Sequence, residues 1–363
     1  MSTNKIIRIG IIGAGFARTT QIPAFAACDG AKIVAIASAR HQHATEVARE
    51  FGIENVASDW RTLVARDDVD LVSIVTPVVT HCEMTLAALE HGKAVLCEKP
   101  MAMNAEEALR MTERARETGV LALIDHELRF LPGRVKMREL IQRGDIGTVR
   151  HAQLTFRADS RADANRPWNW WSDETQGGGA LGAIGSHVID GWRWLLGAEV
   201  AEIFCELATH IRERQDESGR VREVTTDDEA NFLVRFADTE LTEGATGSAP
   251  MSLVEPGKPE HRLEIFGSSG ALMIEESGEL WLSRIGEGEW KRVETDRGEL
   301  APGMRDGGWA RGFTAFSKRI VEALREGRTT VEGAATFEDG YRTQLVLDAA
   351  RRAHESGCWG RIE

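Results

Sequence analysis

A chain of 363 residues is long enough for two domains with a sizeable core, and its 42% hydrophobic and 28% charged residues are those of an ordinary globular protein. The formal net charge of −13 disfavours nucleic acid and anionic membrane surfaces as partners, because both require a basic face. No apolar stretch approaches the roughly 20 residues needed to span a bilayer, and the polar residues 1–5 do not open a signal peptide. Five scattered cysteines, Cys28, Cys82, Cys97, Cys205 and Cys358, lack a CxxC pair. They point to reduced thiols and a cytoplasmic home, and with no HExxH or clustered His/Cys/Asp spacing no metal is expected.

Residues 6–12 are an apolar, β-branched run bounded by Gly13, which reads as a buried first strand. Gly13-Ala14-Gly15 follows, and 16–28 then has helical spacing. Strand, glycine turn and helix in that order set backbone N–H groups and a helix N-terminus against a pyrophosphate, which makes Gly13 and Gly15 candidate cofactor residues. The third glycine of the fingerprint is absent: Arg18 stands there, and Ala17 offers the small residue for close helix–strand contact. A GxG alone also fits a plain tight turn. Residues 32–37 read as the second strand. An NAD-binding chain usually ends this strand in Asp or Glu, which holds the ribose 2′-hydroxyl; here Ser38-Ala39-Arg40 offers a hydroxyl and a guanidinium, which suit a 2′-phosphate. The pattern favours NADP over NAD. Arg40 also reads as a solvated residue opening the next helix.

Residues 70–76 form a further buried strand ended by Pro77. Thr80-His81-Cys82-Glu83 has capping-box form and opens a helix to Glu90, which Gly92 terminates. The next strand, 94–97, leads into Val95-Leu96-Cys97-Glu98-Lys99-Pro100 and stops at a charged pair. Proline cannot donate to a ladder and forces the residue before it into extended geometry. Lys99 is therefore delivered at the sheet's carboxyl edge, where open parallel sheets bind ligands, and it is the centre of the candidate site. Asn104 caps a helix to about 118, and 120–124 is a strand. This alternation predicts an α/β doubly wound parallel sheet with right-handed crossovers over residues 1–126.

The character changes after residue 126. A helix over 132–143 precedes strand-like runs at 148–157, 200–211, 229–236, 261–266, 271–274 and 280–283. Turn chemistry rather than helices separates them, which predicts an antiparallel or mixed sheet in a second domain, 127–363. The charged stretch 212–223 reads as a solvated hairpin tip. Helices at 308–325 and 336–356 close the chain, the latter a candidate for packing back on the first domain.

Within this second region Gly177-Gly178-Gly179-Ala180-Leu181-Gly182 crowds the start of a helix to about Leu196, which lets backbone approach a ligand closely. His187 lies in its first turns and can accept a proton near neutral pH, as carbinol oxidation requires. Alone it would read as a satisfied core histidine; beside Lys99 and a nucleotide fold it reads as catalytic. Trp168, Trp170 and Trp171 precede the glycines in a loop-like stretch. Indole faces suit the C–H face of a pyranose ring. Arg166 and Asn169 read as partners for sugar hydroxyls or a carboxylate, or as loop structure alone. Trp192 and Trp194, interior to the helix, read as packing.

These segments together resemble the Gfo/Idh/MocA family, the glucose–fructose oxidoreductase and inositol dehydrogenase group, over nearly the whole chain. The resemblance rests on Gly13-Ala14-Gly15-Phe16 with Ile22-Pro23-Ala24, Thr76-Pro77 with His81, Cys97-Glu98-Lys99-Pro100-Met101, the glycine-rich segment with His187 and Asp190, and Phe337-Glu338-Asp339-Gly340. It implies an N-terminal Rossmann domain and a C-terminal α+β domain with a large open, mostly antiparallel sheet, used for homodimer or homotetramer contacts. It implies NADP or NAD held with the help of Phe16, Ala17, Ser38, Arg40, Thr76, Pro77, His81, Glu98 and Lys99, and a sugar, polyol or glycoside as substrate. Lys99 would bond the reacting hydroxyl, His187 would be general acid/base, and Glu98 would orient the lysine and the nicotinamide side. A cis peptide before Pro100 is common in the family. Many members carry Asp four positions before the histidine, where this chain has Ala183. Three readings follow: Asp173 or Asp190 takes that role, Lys99 and His187 suffice, or the protein binds cofactor and sugar without turnover. The expected activity is hydride transfer between nicotinamide and a secondary hydroxyl. The alternatives are a nicotinamide-dependent glycosidase without net redox and a non-catalytic sensor.

Overall fold

The computed structural model describes residues 5–362; residues 1–4, on which the reading of a polar start rests, and Glu363 lie outside the described residues. The chain forms two compact units: one runs to Leu131 and includes Gly298–Tyr341, the other is Pro132–Arg297 with the chain from Arg342.

The first unit alternates strand and helix: β1 (Ile7–Ile12), α1 (Gly15–Thr19), α2 (Gln21–Ala26), β2 (Ala31–Ala37), α3 (His41–Phe51), β3 (Asn55–Val56), α4 (Trp60–Val64), β4 (Leu71–Ile74), α5 (His81–Glu90), β5 (Ala94–Cys97), α6 (Ala105–Thr118) and β6 (Ala122–Ile124). The six strands are parallel in the order β6-β5-β4-β1-β2-β3, the doubly wound arrangement. β4 and β5 are buried at every position, as strands covered on both faces must be.

Two local expectations are corrected. The single helix expected over 16–28 is broken at Thr20 (φ −130°, ψ −65°) into α1 and α2. Pro23 lacks an N–H and its ring would clash with the carbonyl four residues back, that of Thr19. The break turns Gln21 fully into the core. The expected capping box at Thr80 is not formed. Thr80 already has helical dihedrals and ends a 3₁₀ turn, Val78–Thr80; its hydroxyl donates to the Pro77 carbonyl and the Thr76 hydroxyl, each at 2.8 Å.

The second unit contains α7 (Pro132–Gln142), β7 (Val149–Arg157), α8 (Ser186–Leu196), β8 (Val200–Ala208), the hairpin β9 (Glu213–Gln215) and β10 (Val221–Glu223), then β11 (Glu229–Phe236), β12 (Thr246–Ser252), β13 (Glu260–Gly267), β14 (Gly270–Ile274), β15 (Leu280–Arg284) and β16 (Lys291–Val293). Eight of these strands form a sheet in the order β16-β15-β14-β13-β7-β12-β11-β8, antiparallel except where β12 lies parallel to β7. β12 was not anticipated. Its sequence, Thr-Gly-Ser-Ala-Pro-Met-Ser, shows no apolar alternation and carries a proline, which argues against a central strand. The strand survives because its pairing with β7 lapses at Ala249 and Pro250. Trp192 of α8 is fully buried under the sheet, edge-on to Phe232 and Phe236 with ring centres 5.8 Å away in each case.

The chain then forms α9 (Gly308–Arg325), β17 (Ala335–Thr336), α10 (Phe337–Ser356) and β18 (Gly360–Arg361). Residues 298–341 were expected in the second domain; here they belong to the first unit. The apolar face of α9 supplies Phe313, Phe316 and Ile320 to the core built by Ile7, Ile9, Ile22 and Phe25. β17 adds an antiparallel edge to β6, and β18 adds one to β8.

Candidate active site

The carboxyl ends of β1, β4, β5 and β6 lie side by side, and the sequence signals of the first unit fall there. Gly13 (φ +106°) follows β1; a Cβ on it would stand 2.0 Å from the Val75 carbonyl oxygen, so only glycine fits. Open space lies where Gly15 would carry a side chain, Ala17 is fully buried, and Phe16 is half exposed. This cradle of a strict glycine, an open glycine and a packed alanine fits a dinucleotide pyrophosphate.

Lys99 stands half-buried just beyond β5, and its peptide bond to Pro100 is cis. Behind it lies a buried polar network. The register of β5 and β6 pairs Cys97 with Ile124, so the next residues, Glu98 and Asp125, are neighbours. Both are buried and their carboxyl groups are hydrogen-bonded. Gln21 Nε2 donates to Glu98 Oε1 at 3.0 Å and to Asp125 Oδ2 at 2.9 Å, while its Oε1 accepts from the Ser73 hydroxyl. Glu98 Oε2 turns back to accept the Lys99 backbone N–H at 3.3 Å. Burial raises the pKa of both acids. The Lys99 charge holds Glu98 down, while the charges of Glu127 and Glu98 push Asp125 well above the carboxylate range. With both acids raised, the buried pair is poised to share one proton between its carboxyl groups.

Thr76, Pro77 and His81 hold the same edge together. The buried His81 ring sets Nδ1 3.1 Å from the Pro100 carbonyl and Nε2 3.0 Å from the Thr76 carbonyl, so it ties the turn after β4 to the turn after β5. Burial pushes its pKa down. At the end of β2, Ser38 is half-buried, and exposed Arg40 immediately precedes α3. The first carboxylate after the strand is Glu46, in the second turn of that helix.

In the second unit the glycine segment leads into a π-helical turn, Leu181–Gly185, and then α8. Such turns concentrate at functional sites. His187 is the second residue of α8 and is buried; Asp190, also buried, lies one turn further on the same side. Ala183 sits inside the π turn. Glycines 178 and 179 do not make room for a ligand as expected. Their Cβ positions are filled by protein: the Trp171 carbonyl oxygen lies 2.3 Å from one and Asp227 Oδ1 2.3 Å from the other. Asp227 also accepts the Leu181 N–H at 2.6 Å with its carboxylate and the Ala180 N–H at 3.0 Å with its carbonyl. Desolvation raises its pKa against the pull of the Leu181 N–H.

The preceding loop uses most of its expected ligand groups on itself. Asn169 Oδ1 accepts the Trp171 N–H at 3.0 Å, and Asp173 Oδ1 accepts from the backbone N–H (3.0 Å) and hydroxyl (2.7 Å) of Thr175. Trp168 Nε1 donates to the Glu223 carbonyl at 2.9 Å, and Arg166 donates to the Ser160 carbonyl at 2.9 Å. Gln21, Asp125 and Asp227 were not singled out from sequence. A buried acid directly after a strand was the available signal for Asp125, since parallel register sets it beside Glu98.

Cys97 is fully buried, with its thiol pKa raised, and burial pushes the Cys205 thiol up to about 12. Neither is a thiolate nucleophile at neutral pH. No helix among the described residues is long and apolar enough to cross a membrane.

Comparison with known proteins agrees with this layout. Residues 7–126 match the model of an oxidoreductase family with an NAD-binding Rossmann fold, and 135–273 match the Gfo/Idh/MocA C-terminal domain. A levoglucosan dehydrogenase of Pseudarthrobacter phenanthrenivorans is 31% identical, over 97% of this chain and 97% of that protein. Among solved structures, an oxidoreductase domain protein from Kribbella flavida superposes with a TM-score of 0.88 at 30% identity, covering 99% of this chain and 100% of that one. A levoglucosan dehydrogenase in complex with NADH and levoglucosan superposes with a TM-score of 0.88 at 28% identity, over 99% and 100% of the two chains. With both of its domain models matched and a glycine turn and Lys99 edge of the kind described, this chain belongs to the Gfo/Idh/MocA family of oxidoreductases.

Proposed function

We propose that this oxidoreductase moves hydride between a nicotinamide dinucleotide and a secondary hydroxyl or ketone of a sugar or polyol. The observation that carries the proposal is the Lys99 ammonium at the carboxyl edge of the parallel sheet, its backbone tied to a buried Glu98–Asp125–Gln21 network. The similarity to a levoglucosan dehydrogenase, and to one such structure holding NADH and levoglucosan, supports a ring sugar as the substrate class.

When bound, the nicotinamide supplies the hydride acceptor or donor. Lys99 hydrogen-bonds the reacting oxygen, stabilising alkoxide character in oxidation and polarising the carbonyl in reduction. His187 is the general base that removes the hydroxyl proton and the acid that returns it. Asp190, one turn along the helix, supports the imidazolium in the absence of an acid at Ala183. The other acid weighed for that role, Asp173, caps its own turn. Glu98 holds the Lys99 backbone. Gly13, Gly15 and Phe16, with Ala17 packed behind them, would hold the pyrophosphate, and His81 fixes the turns of Thr76, Pro77 and Pro100 at the same sheet edge.

NADP is the preferred cofactor in this reading, because Ser38 and Arg40 offer donors and no carboxylate stands between the end of β2 and Glu46. Chains join as dimers or tetramers through the outward face of the large sheet, and light scattering on the purified protein tests this. The function itself is tested by a panel of sugars, polyols and glycosides with NAD and NADP, followed at the nicotinamide absorbance band. Sugar-dependent absorbance change, faster with NADP, supports the proposal. Glycoside cleavage without net absorbance change identifies the glycosidase alternative, and cofactor binding without turnover on the whole panel identifies a sensor.

A further inference from the structure

The arginines near the glycine segment differ from those elsewhere in the chain. Several buried or half-buried arginines elsewhere meet carboxylates: Arg193 meets Glu199 at 2.6 Å, Arg129 meets Asp339 at 3.2 Å and Arg311 meets Asp306 at 2.8 Å. Arg161 does not. Its half-buried guanidinium stacks 4.2 Å over the Trp171 ring, and among the described residues no carboxylate pairs with it. Burial, with the charges of two more cations, Arg166 and Arg214, depresses its pKa to about 10.

The three arginines have different work. Arg214, on β9 and nearly fully buried, staples the loop: it donates to the carbonyls of Asp163 (2.6 Å), Arg166 (3.4 Å) and Arg161 (2.6 Å). Burial and the Arg166 charge lower the Arg214 pKa, and the nearby charges of Asp228 and Asp163 partly offset them, so the acids of this region act on the staple. Arg166 is exposed and has one edge on the Ser160 carbonyl. Arg161 has its face on an indole, and among the described residues no hydrogen-bond acceptor meets its guanidinium. Stacking fixes the plane of the fork and leaves its edge available, the geometry in which a guanidinium takes a carboxylate or phosphate in two parallel hydrogen bonds.

We propose that Arg161, held by Trp171 and assisted by Arg166, is a subsite for an anionic group on the substrate, so that the preferred sugar carries a carboxylate or a phosphate monoester. The subsite belongs to the same unit as His187: the Trp171 carbonyl packs against Gly178, where the segment leading to the histidine begins. Carboxylate and phosphate present the same oxygen fork to arginine, and the assay separates them. The proposal rests on the sugar-oxidoreductase reading for its substrate class, and its test has an arm that does not.

The test compares a neutral hexose, the matching uronate and the matching hexose phosphate on the full-length protein. Activity is measured as kcat/KM with the preferred dinucleotide, and binding of each sugar to the dinucleotide-loaded protein is measured by calorimetry. The variants are Arg161→Gln, Arg161→Lys and Arg166→Gln, each checked for an intact thermal transition. One anionic sugar is expected to be preferred over the neutral one, and Arg161→Gln to lower that preference by about 10- to 100-fold, the usual range for losing a charged hydrogen-bond pair. Arg161→Lys is expected to restore part of it. If the preferred anion is the uronate, the ligand is a sugar acid; if the phosphate, a sugar phosphate. A neutral-to-anionic ratio that is the same in wild type and Arg161→Gln overturns the subsite. If no sugar is turned over but an anionic sugar binds in an Arg161-dependent manner, the oxidoreductase reading fails and the subsite stands. Should Arg161→Gln not fold, Arg161→Lys and Arg166→Gln read the same ratio, and no change in either overturns the proposal.

Discussion

Gln21 is the residue whose replacement reads the hidden part of the site most clearly. Its amide accepts one hydrogen bond from Ser73 and donates one each to Glu98 and Asp125, all in the core. Gln21→Leu keeps the volume and removes all three. Each buried polar group left without its partner costs about 1–3 kcal/mol. Glu98 and Asp125 still bond each other, so the sum falls near the lower half of the range, about 3–5 kcal/mol. A unit of this size loses about 2–4 °C in melting temperature per kcal/mol, giving a drop of roughly 6–20 °C. Glu98 also anchors the Lys99 N–H, so kcat falls with it. The assay is thermal unfolding at neutral pH, followed by steady-state kinetics on the folded variant. Gln21→Glu is the informative partner. It adds a third acid to the cluster, so its deficit grows as pH rises and shrinks as pH falls. A Gln21→Leu protein melting within about 2 °C of wild type would refute the network's energetic role.

The remaining predictions concern protonation, the glycine segment and the cofactor. Asp125 has its pKa raised in the fold, so its stabilising contribution is complete below the ordinary aspartate range and is lost as pH rises through its folded value; Asp125→Asn should flatten that alkaline loss in melting temperature. Asp227→Ala removes the carboxylate that holds the Leu181 N–H and should cost about 1–2 kcal/mol by denaturant titration, with a larger fall in kcat than in cofactor affinity. An unchanged kcat would separate the glycine segment from His187. Arg40→Asp should shift the NADP-to-NAD ratio of kcat/KM toward NAD by about 10-fold or more, since an acid repels the 2′-phosphate; an unchanged ratio would leave Arg40 as a helix-opening residue only.

Much of this arrangement is written locally. Mostly apolar runs before Gly13 and Pro77, and a strand cut short by Pro100, mark the parallel sheet and its carboxyl edge without reference to distant residues. What the sequence does not reveal depends on pairing between distant segments. Gln21 reaches the acids only because Pro23 breaks its helix, and Glu98 meets Asp125 only through the β5–β6 register. Asp227 is 46 residues from the Leu181 N–H that it accepts. β12 carries the turn-forming residues Gly247 and Pro250, and its place is set by its neighbours rather than by its own pattern. The face of α9 is amphipathic to the eye, but nothing along the chain says which core it joins. The glycine run was legible as a place of close approach, while the partner turned out to be Asp227 and the Trp171 carbonyl.

Replacing Lys99 by methionine tests the account at its centre, because the side chain keeps its length and loses only its charge and donors. Turnover and cofactor dissociation constant are measured on one preparation, with the best sugar from the panel. A fall in kcat of at least about 100-fold with cofactor affinity within about threefold of wild type is the predicted result. A Lys99→Met enzyme that turns over at close to the wild-type rate would contradict it.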